Sequence, residues 1–238
     1  MNDLIVTVDL DWACEPAIED TLNFLKNHNI SPTVFVTHRS SIVEAALNEI
    51  EVALHPYFAP DSSHGSTIVE VVNYIMELPH NLSGFRCHRF ANCNLSRHAM
   101  VEAGMLISSN ICTDMEVIPP FKDRFGLLEV PIFLEDGGYL WRKHPLEISK
   151  KLESILLGAG QKVIVIHPMH FSVNTPCFGY MYNIKESVGG RANWKNMSSQ
   201  TLNNLRWHGR GIRNLLVELL QIVPHKSSLG DLYRSVLK

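Results

Sequence analysis

The 238-residue sequence contains no Cys-x-x-Cys pair, and its five cysteines (14, 87, 93, 112 and 177) are scattered and odd in number. That excludes a zinc ribbon or a dithiol redox motif and reads as reduced thiols in a cytosolic protein. There is no basic block, and the net charge is −3, which argues against a binder of nucleic-acid phosphates. No stretch approaches the ~20 apolar residues of a membrane span. The N-terminus lacks the basic n-region of a signal peptide, and its apolar run meets Asp9 too early. No linker, repeat or low-complexity tract divides the chain, so residues 1–238 are expected to form a single domain. Hydrophobic residues make up 45% and charged residues 19%, which leaves ample material for a core.

What the chain does have is a pair of acids at the end of its first apolar run. Leu4-Ile5-Val6-Thr7-Val8-Asp9-Leu10-Asp11-Trp12 reads as a buried strand. Within a strand, Asp9 and Asp11 at i and i+2 point to one face. Two buried carboxylates so placed repel unless a cation, a proton or an arginine separates them.

Beyond this pair, strand and helix signals alternate. Glu15-Pro16 opens a helix that closes at Asn27-His28-Asn29, Pro32–Thr37 is a strand, and Ser40 or Ser41 caps a short helix through Leu47. Strands are also expected at 51–55, 84–88, 105–107, 127–134 and 163–167. Helices are expected at 67–78, 96–103, 145–157, 201–223 and 229–237, with 201–223 interrupted by Gly209 and Gly211. Residues 172–196 read as mostly irregular, with Gly189-Gly190 as a hinge, and suit a substrate loop. Alternation with non-alternating apolar strands specifies an α/β fold with a mainly parallel, helix-covered sheet. Working residues of such folds gather at the C-terminal ends of the strands. Asp9, Asp11, His55, Arg86, His88 and His167 all fall there.

One carboxylate and two imidazoles make a three-ligand divalent site with an open position. A second carboxylate serves as general base, and a separate imidazolium can protonate a leaving amine. Asp9 and Asp11 supply ligand and base between them. Arg86 orients the base carboxylate by a charge-assisted hydrogen bond. His167 is the candidate acid, and His170 either shares that task or orients a neighbour. Such a set hydrolyses an amide or an ester. Trp12, Tyr180, Tyr182 and Trp194 are candidates for a sugar-stacking wall.

The segments Val8-Asp9-Leu10-Asp11, Leu54-His55-Pro56, Gly84-Phe85-Arg86 and Val163-Ile164-Val165-Ile166-His167 resemble, in order and spacing, the motifs of the NodB-homology polysaccharide deacetylases, carbohydrate esterase family 4. His55-Pro56-Tyr57-Phe58 and His167-Pro168-Met169-His170 resemble an outlying branch associated with bacterial surface-polysaccharide biosynthesis. The resemblance implies a distorted (β/α) barrel and hydrolysis of an N-acetyl group from an amino sugar. It further implies Asp9 as base and Asp11 as metal ligand. A cytoplasmic location would favour a glycan precursor as substrate. Zinc is the default ion, with cobalt or manganese as substitutes.

The chain departs from the family's second motif, His-x-x-x-His, because Ala59 stands four residues after His55. His64, on the same loop, is the first choice for the missing ligand, and His88 is the second. The fourth motif, an Asp with a Trp, has only Asp136 and Trp141 to offer. A degenerate sugar-binding member of the fold and a metal-dependent amidase on a non-sugar amide are the competing readings.

Overall fold

The β-branched and aliphatic runs form the centre of one sheet. In the computed structural model, residues 2–236 are described, so Leu237, the last residue of the expected terminal helix, lies outside them. The strands are β1 (Asn2–Asp9), β2 (Thr33–Val36), β3 (Glu51–Leu54), β4 (Gly84–Phe85), β5 (Ile107–Ser108), β6 (Phe121–Lys122), β7 (Leu128–Glu129), β8 (Ile132–Glu135), β9 (Gly160–Ile166) and β10 (Lys226–Ser227). The helices are α1 (Glu15–Asn27), α2 (Ser41–Ala45), α3 (Ile68–Met76), α4 (Asn94–Glu102), α5 (Asp136–Trp141), α6 (Lys150–Leu157), α7 (Pro168–Ser172), α8 (Phe178–Ser187), α9 (Arg191–Lys195), α10 (Ser199–Asn204), α11 (Ile212–Ile222) and α12 (Leu229–Val236).

The sheet runs β6-β7-β5-β4-β3-β2-β1-β9-β8, with β10 beside the start of β1. Its pairings are parallel except β6 with β7. Strands β7 and β8 are separated in sequence only by Val130 and Pro131, so the two ends of the order meet and the sheet curls into a distorted barrel. The α/β fold with a mainly parallel, curled sheet therefore agrees with expectation.

Side-chain alternation divides the strands between two cores. Leu4, Val6, Val8, Val34, Val36, Ile164 and Ile166 pack outward under the helices. Ile5, Phe35, Ala53, Val163 and Val165 fill the barrel, closed at one end by Leu229 and Leu232 of α12. Continuing the inward period of two places Thr7 and Asp9 of β1, His55 after β3 and His167 after β9 at the barrel's C-terminal mouth. On β8 a bulge separates Ile132 from Leu134. Ile132 faces inward, Phe133 and Leu134 both face outward, and Glu135 returns to the mouth.

Several expected boundaries are corrected. Helix α6 begins only at Lys150, capped by the Ser149 hydroxyl, and not at Pro145. The stretch 201–223 is two helices, because the turn before Gly211 docks on Asn174. The Asn174 amide donates to the Trp207 and Gly209 carbonyls, and a Cβ at Gly211 would meet the Asn174 carbonyl oxygen at 2.1 Å. Residues 172–196 are largely helical, carrying α8 and α9. Only Met181 and Ile184 of α8 are buried, so the segment offers little apolar periodicity. The fourth strand stops at Phe85, which leaves His88 in the turn beyond it.

Candidate active site

The first acid sits as expected, and the second does not. Asp9 is the last residue of β1. Asp11 lies beyond the strand in left-handed backbone (φ 44), followed by Trp12 (φ 55). The two carboxylates converge because the chain turns after Asp9, not because they share a strand face. Such conformations cost on the order of 1–3 kcal/mol each and concentrate at functional sites. The Thr37 hydroxyl helps hold the turn by accepting the Trp12 amide at 3.2 Å.

Arg86 is wholly buried and fully engaged. Its Nη1 donates to Asp9 Oδ1 at 2.6 Å and to Thr7 Oγ1 at 2.9 Å. Nε and Nη2 donate to the Ser109 carbonyl and hydroxyl. The guanidinium lies 4.2 Å over the Phe35 ring. This meets the condition for burying an ion pair, since the charges are matched and four of the five guanidinium donors are used.

Asp11 Oδ1 lies 3.1 Å from His55 Nε2 and 2.9 Å from His88 Nδ1. The three residues form a group able to hold a metal ion. Burial by itself raises the Asp11 pKa, but His167, His55 and His88 outweigh it and hold the carboxyl well below its usual range. His88 is aimed by its surroundings. Its amide donates to the Pro56 carbonyl at 2.8 Å, and the rings of Trp12 and Tyr57 meet it edge-on at 5.0 and 4.8 Å.

His64 does not join this group. Its Nδ1 accepts the Tyr57 amide at 3.2 Å, and its ring stacks on Tyr74 at 4.7 Å. Burial pushes its pKa down to about 4. It packs under the loop that carries His55 and Tyr57. His88, and not His64, is the imidazole that stands with His55 at Asp11.

His167 faces Asp11 on one side and two acids on the other. Its Nε2 is 3.5 Å from Asp11 Oδ2, and its Nδ1 is 2.5 Å from Asp136 Oδ1. Asp136 Oδ2 also accepts the His167 amide at 2.7 Å. Burial alone would lower the imidazole pKa. Asp136, Asp11 and Glu135 outweigh it and raise it well above its usual value. Glu135 Oε1 is 3.6 Å from His167 Nδ1, and burial pushes the Glu135 carboxyl up to about 7. Glu135, Asp136 and His167 also form a group able to hold a metal. However, the oxygens of Asp136 already accept from His167 and Gly137, and those of Glu135 accept from Gly137 and Gly138.

His170 lines the same cleft, with Nδ1 3.1 Å from Thr175 Oγ1, and burial pushes its pKa down to about 4. Glu135 was not anticipated, and Asp136 only weakly. The signal was the one used elsewhere, acids directly after an apolar strand. Trp12 and Trp194 line the cleft, whereas Tyr180 turns away and donates to the Leu205 carbonyl. The cleft has a volume of about 790 Å³, and Phe178, Met181 and Trp194 from the 172–196 segment form one wall. No helix among the described residues is long and apolar enough to cross a membrane.

A family model described as WbmS-like polysaccharide deacetylase matches residues 6–185, a span that contains every residue of this constellation. The chain belongs to the WbmS-like polysaccharide deacetylase family. Among solved structures, it resembles WbmS of Bordetella bronchiseptica, assigned as a polysaccharide deacetylase involved in O-antigen biosynthesis. The TM-score is 0.80 at 21% identity, over 93% of this chain and 91% of that one. A Mycobacterium smegmatis protein assigned to the same class aligns with a TM-score of 0.46 at 15% identity, over 95% and 93% of the two chains. No curated protein matches the sequence. Family membership makes the chain a deacetylase-type hydrolase with a glycan as the implied substrate. The B. bronchiseptica match supports the curled α/β barrel.

Proposed function

We propose that this chain is a metal-dependent deacetylase that removes an N-acetyl group from an amino sugar in a glycan or glycan precursor. The observation that carries this reading is the convergence of three groups at one mouth of the barrel: Asp9 with Arg86, Asp11 with two imidazoles, and His167 with Asp136.

The donor set fits a divalent ion. Two imidazole nitrogens from separate loops are directed at the same oxygen of Asp11, and a cation bound by their lone pairs would satisfy all three. Asp11, His55 and His88 are the residues that would hold it. Zinc suits this mixture best. Such an ion polarises a carbonyl and lowers the pKa of water.

The protein's own groups then divide the proton work. Asp9 accepts the proton of the attacking water. Its Oδ1 is occupied by Arg86, which fixes the carboxylate plane and leaves Oδ2, 3.9 Å from His55 Nε2, as the accepting atom. His167 donates from Nε2 to the departing sugar amine. Asp136 accepts from Nδ1–H, so the second proton, the one the imidazolium can give up, sits on Nε2 facing the cleft. His170 is held neutral by burial and serves as cleft wall instead of a second acid. The missing His-x-x-x-His is thus no sign of a degenerate member, since His88 supplies the second imidazole from another loop.

The test is release of acetate from a panel of N-acetylated amino sugars and acyl amides, before chelation, after chelation and after metal return. The reading requires acetate from the sugars, its loss with chelator and its recovery with zinc. Hydrolysis confined to the non-sugar amides would assign the chain to the competing amidase class.

A further inference from the structure

Arg89 follows His88 directly and lines the cleft, yet it serves none of the chemistry above. It is exposed, and its backbone is left-handed (φ 57), as is that of Phe90 (φ 54). Its Nη1 donates to the Tyr57 hydroxyl at 3.1 Å, and its guanidinium lies 5.5 Å over the Tyr57 ring. Tyr57 is buried, and its hydroxyl donates to Asp61 at 2.6 Å. The arginine is therefore braced from behind by a rigid aromatic.

Its charge has no direct ion-pair partner among the described residues, and Asp61 reaches it only through the Tyr57 hydroxyl. An arginine has five N–H donors in a planar fork. Among the described residues, Tyr57 takes one of them, and no carboxylate pairs with Arg89. Arg39, exposed after β2, is by contrast paired with Glu44. Lys185, on the α8 wall, adds a second cation to the cleft lining, stationed 4.9 Å from the Trp194 ring. Glu186 on the same wall opposes it, and the other acids of the lining, Asp9, Asp11 and Glu135, lie at the catalytic end with Arg86, the imidazoles and His167. A cleft of about 790 Å³ is also at the large end of the range for a small-molecule site, with room beside the sugar whose amide is cut.

We propose that Arg89 forms an anion subsite, and that the acylated sugar handled here carries an acidic group, a phosphate ester or a carboxylate, which the guanidinium fork binds while the acetamido group lies at His88 and His167. This rests on the deacetylase reading for the identity of the sugar, but not for the subsite. The fork recognises both oxyanions in the same bidentate manner.

The experiment has two arms, each using the full chain loaded with zinc. In the first, acetate release is compared for N-acetylglucosamine, its 1-phosphate and the corresponding uronic acid, with wild type, Arg89→Gln and Arg89→Lys. The expected result is a preference of about 10-fold or more in kcat/KM for one of the acidic sugars, carried by KM, the size of one charge-assisted hydrogen bond. Arg89→Gln should bring the ratio of acidic to neutral sugar close to one, and Arg89→Lys should restore part of it. The phosphate and uronate arms identify which anion is native. Equal turnover of neutral and acidic sugars by wild type, or an equal loss on all three in Arg89→Gln, would overturn the proposal.

The second arm titrates inorganic phosphate calorimetrically against wild type and Arg89→Gln, and needs no turnover. Weaker binding by Arg89→Gln supports the subsite even if no sugar is hydrolysed, in which case the deacetylase reading alone fails. Equal binding overturns the subsite even if deacetylation stands.

Discussion

His88 Nδ1 lies 2.9 Å from Asp11 Oδ1 across 77 residues of sequence, and Asp11 reaches that point because its backbone turns left-handed just beyond β1. The turn at Asp11-Trp12 swings the carboxylate off β1, and the Pro56 carbonyl and the Trp12 and Tyr57 rings hold His88 in place beside it.

The first prediction separates the two candidate histidines. His88→Ala should lower zinc affinity by more than about 100-fold, beyond the 10- to 100-fold typical of residues one step removed from a metal. His64→Gln should keep zinc in near-stoichiometric amount. Metal content after dialysis, measured by mass spectrometry, distinguishes them. Loss of metal from His64→Gln with retention in His88→Ala would reverse the assignment.

The second concerns the buried Asp9–Arg86 pair. Asp9→Ala strands a guanidinium that is 0% exposed, so it should destabilise the fold by about 3–5 kcal/mol. Asp9→Asn keeps the shape and an acceptor for Arg86 and should fold better, yet lose roughly 10²- to 10⁴-fold in turnover with zinc still bound. Denaturant midpoints and acetate release on the same samples check both halves.

The third follows from the Asp136–His167 contact. His167 must be protonated to act as an acid, so activity falls as pH rises through its raised pKa. Asp136→Asn removes a main cause of that elevation. The alkaline limb of kcat/KM should therefore move to lower pH, and not merely drop in height. A pH profile with an unmoved alkaline limb would deny His167 the acid role.

These predictions rest on residues of unequal legibility. Asp9, His55 and His167 were readable because each ends a β-rich apolar run, and Arg86 because it follows Gly84-Phe85 at the matching edge. Strand period and parallel topology bring such positions together with no further information. His88 stands beside Asp11 from a turn beyond β4, a placement that no residue pattern marks. His64 is the nearer histidine to His55 along the chain, but its ring is turned to the Tyr57 amide and Tyr74. The helices at 178–187 and 191–195 were hidden because they cover a cleft and bury few apolar residues. Glu135 reaches the mouth only through the bulge in β8.

The fourth prediction is a stability one. Burial, helped by Lys195, pushes the His38 pKa down to about 4, and burial does the same for His64. In the unfolded chain each titrates near about 6.5. Between these values the unfolded state binds protons that the folded state refuses. Stability is therefore full above about pH 6.5 and lost as pH falls toward 4, by roughly 1–3 kcal/mol per group. Urea midpoints between pH 7 and 4.5 should show the decline, with a shallower slope in His38→Gln.

Anomalous diffraction from crystals soaked in zinc tests the central claim most directly. The account predicts a peak within about 2.0–2.2 Å of Asp11 Oδ1, His55 Nε2 and His88 Nδ1, the ordinary ligand distances for zinc. A peak at Glu135, Asp136 and His167, or one including His64 in place of His88, would contradict it.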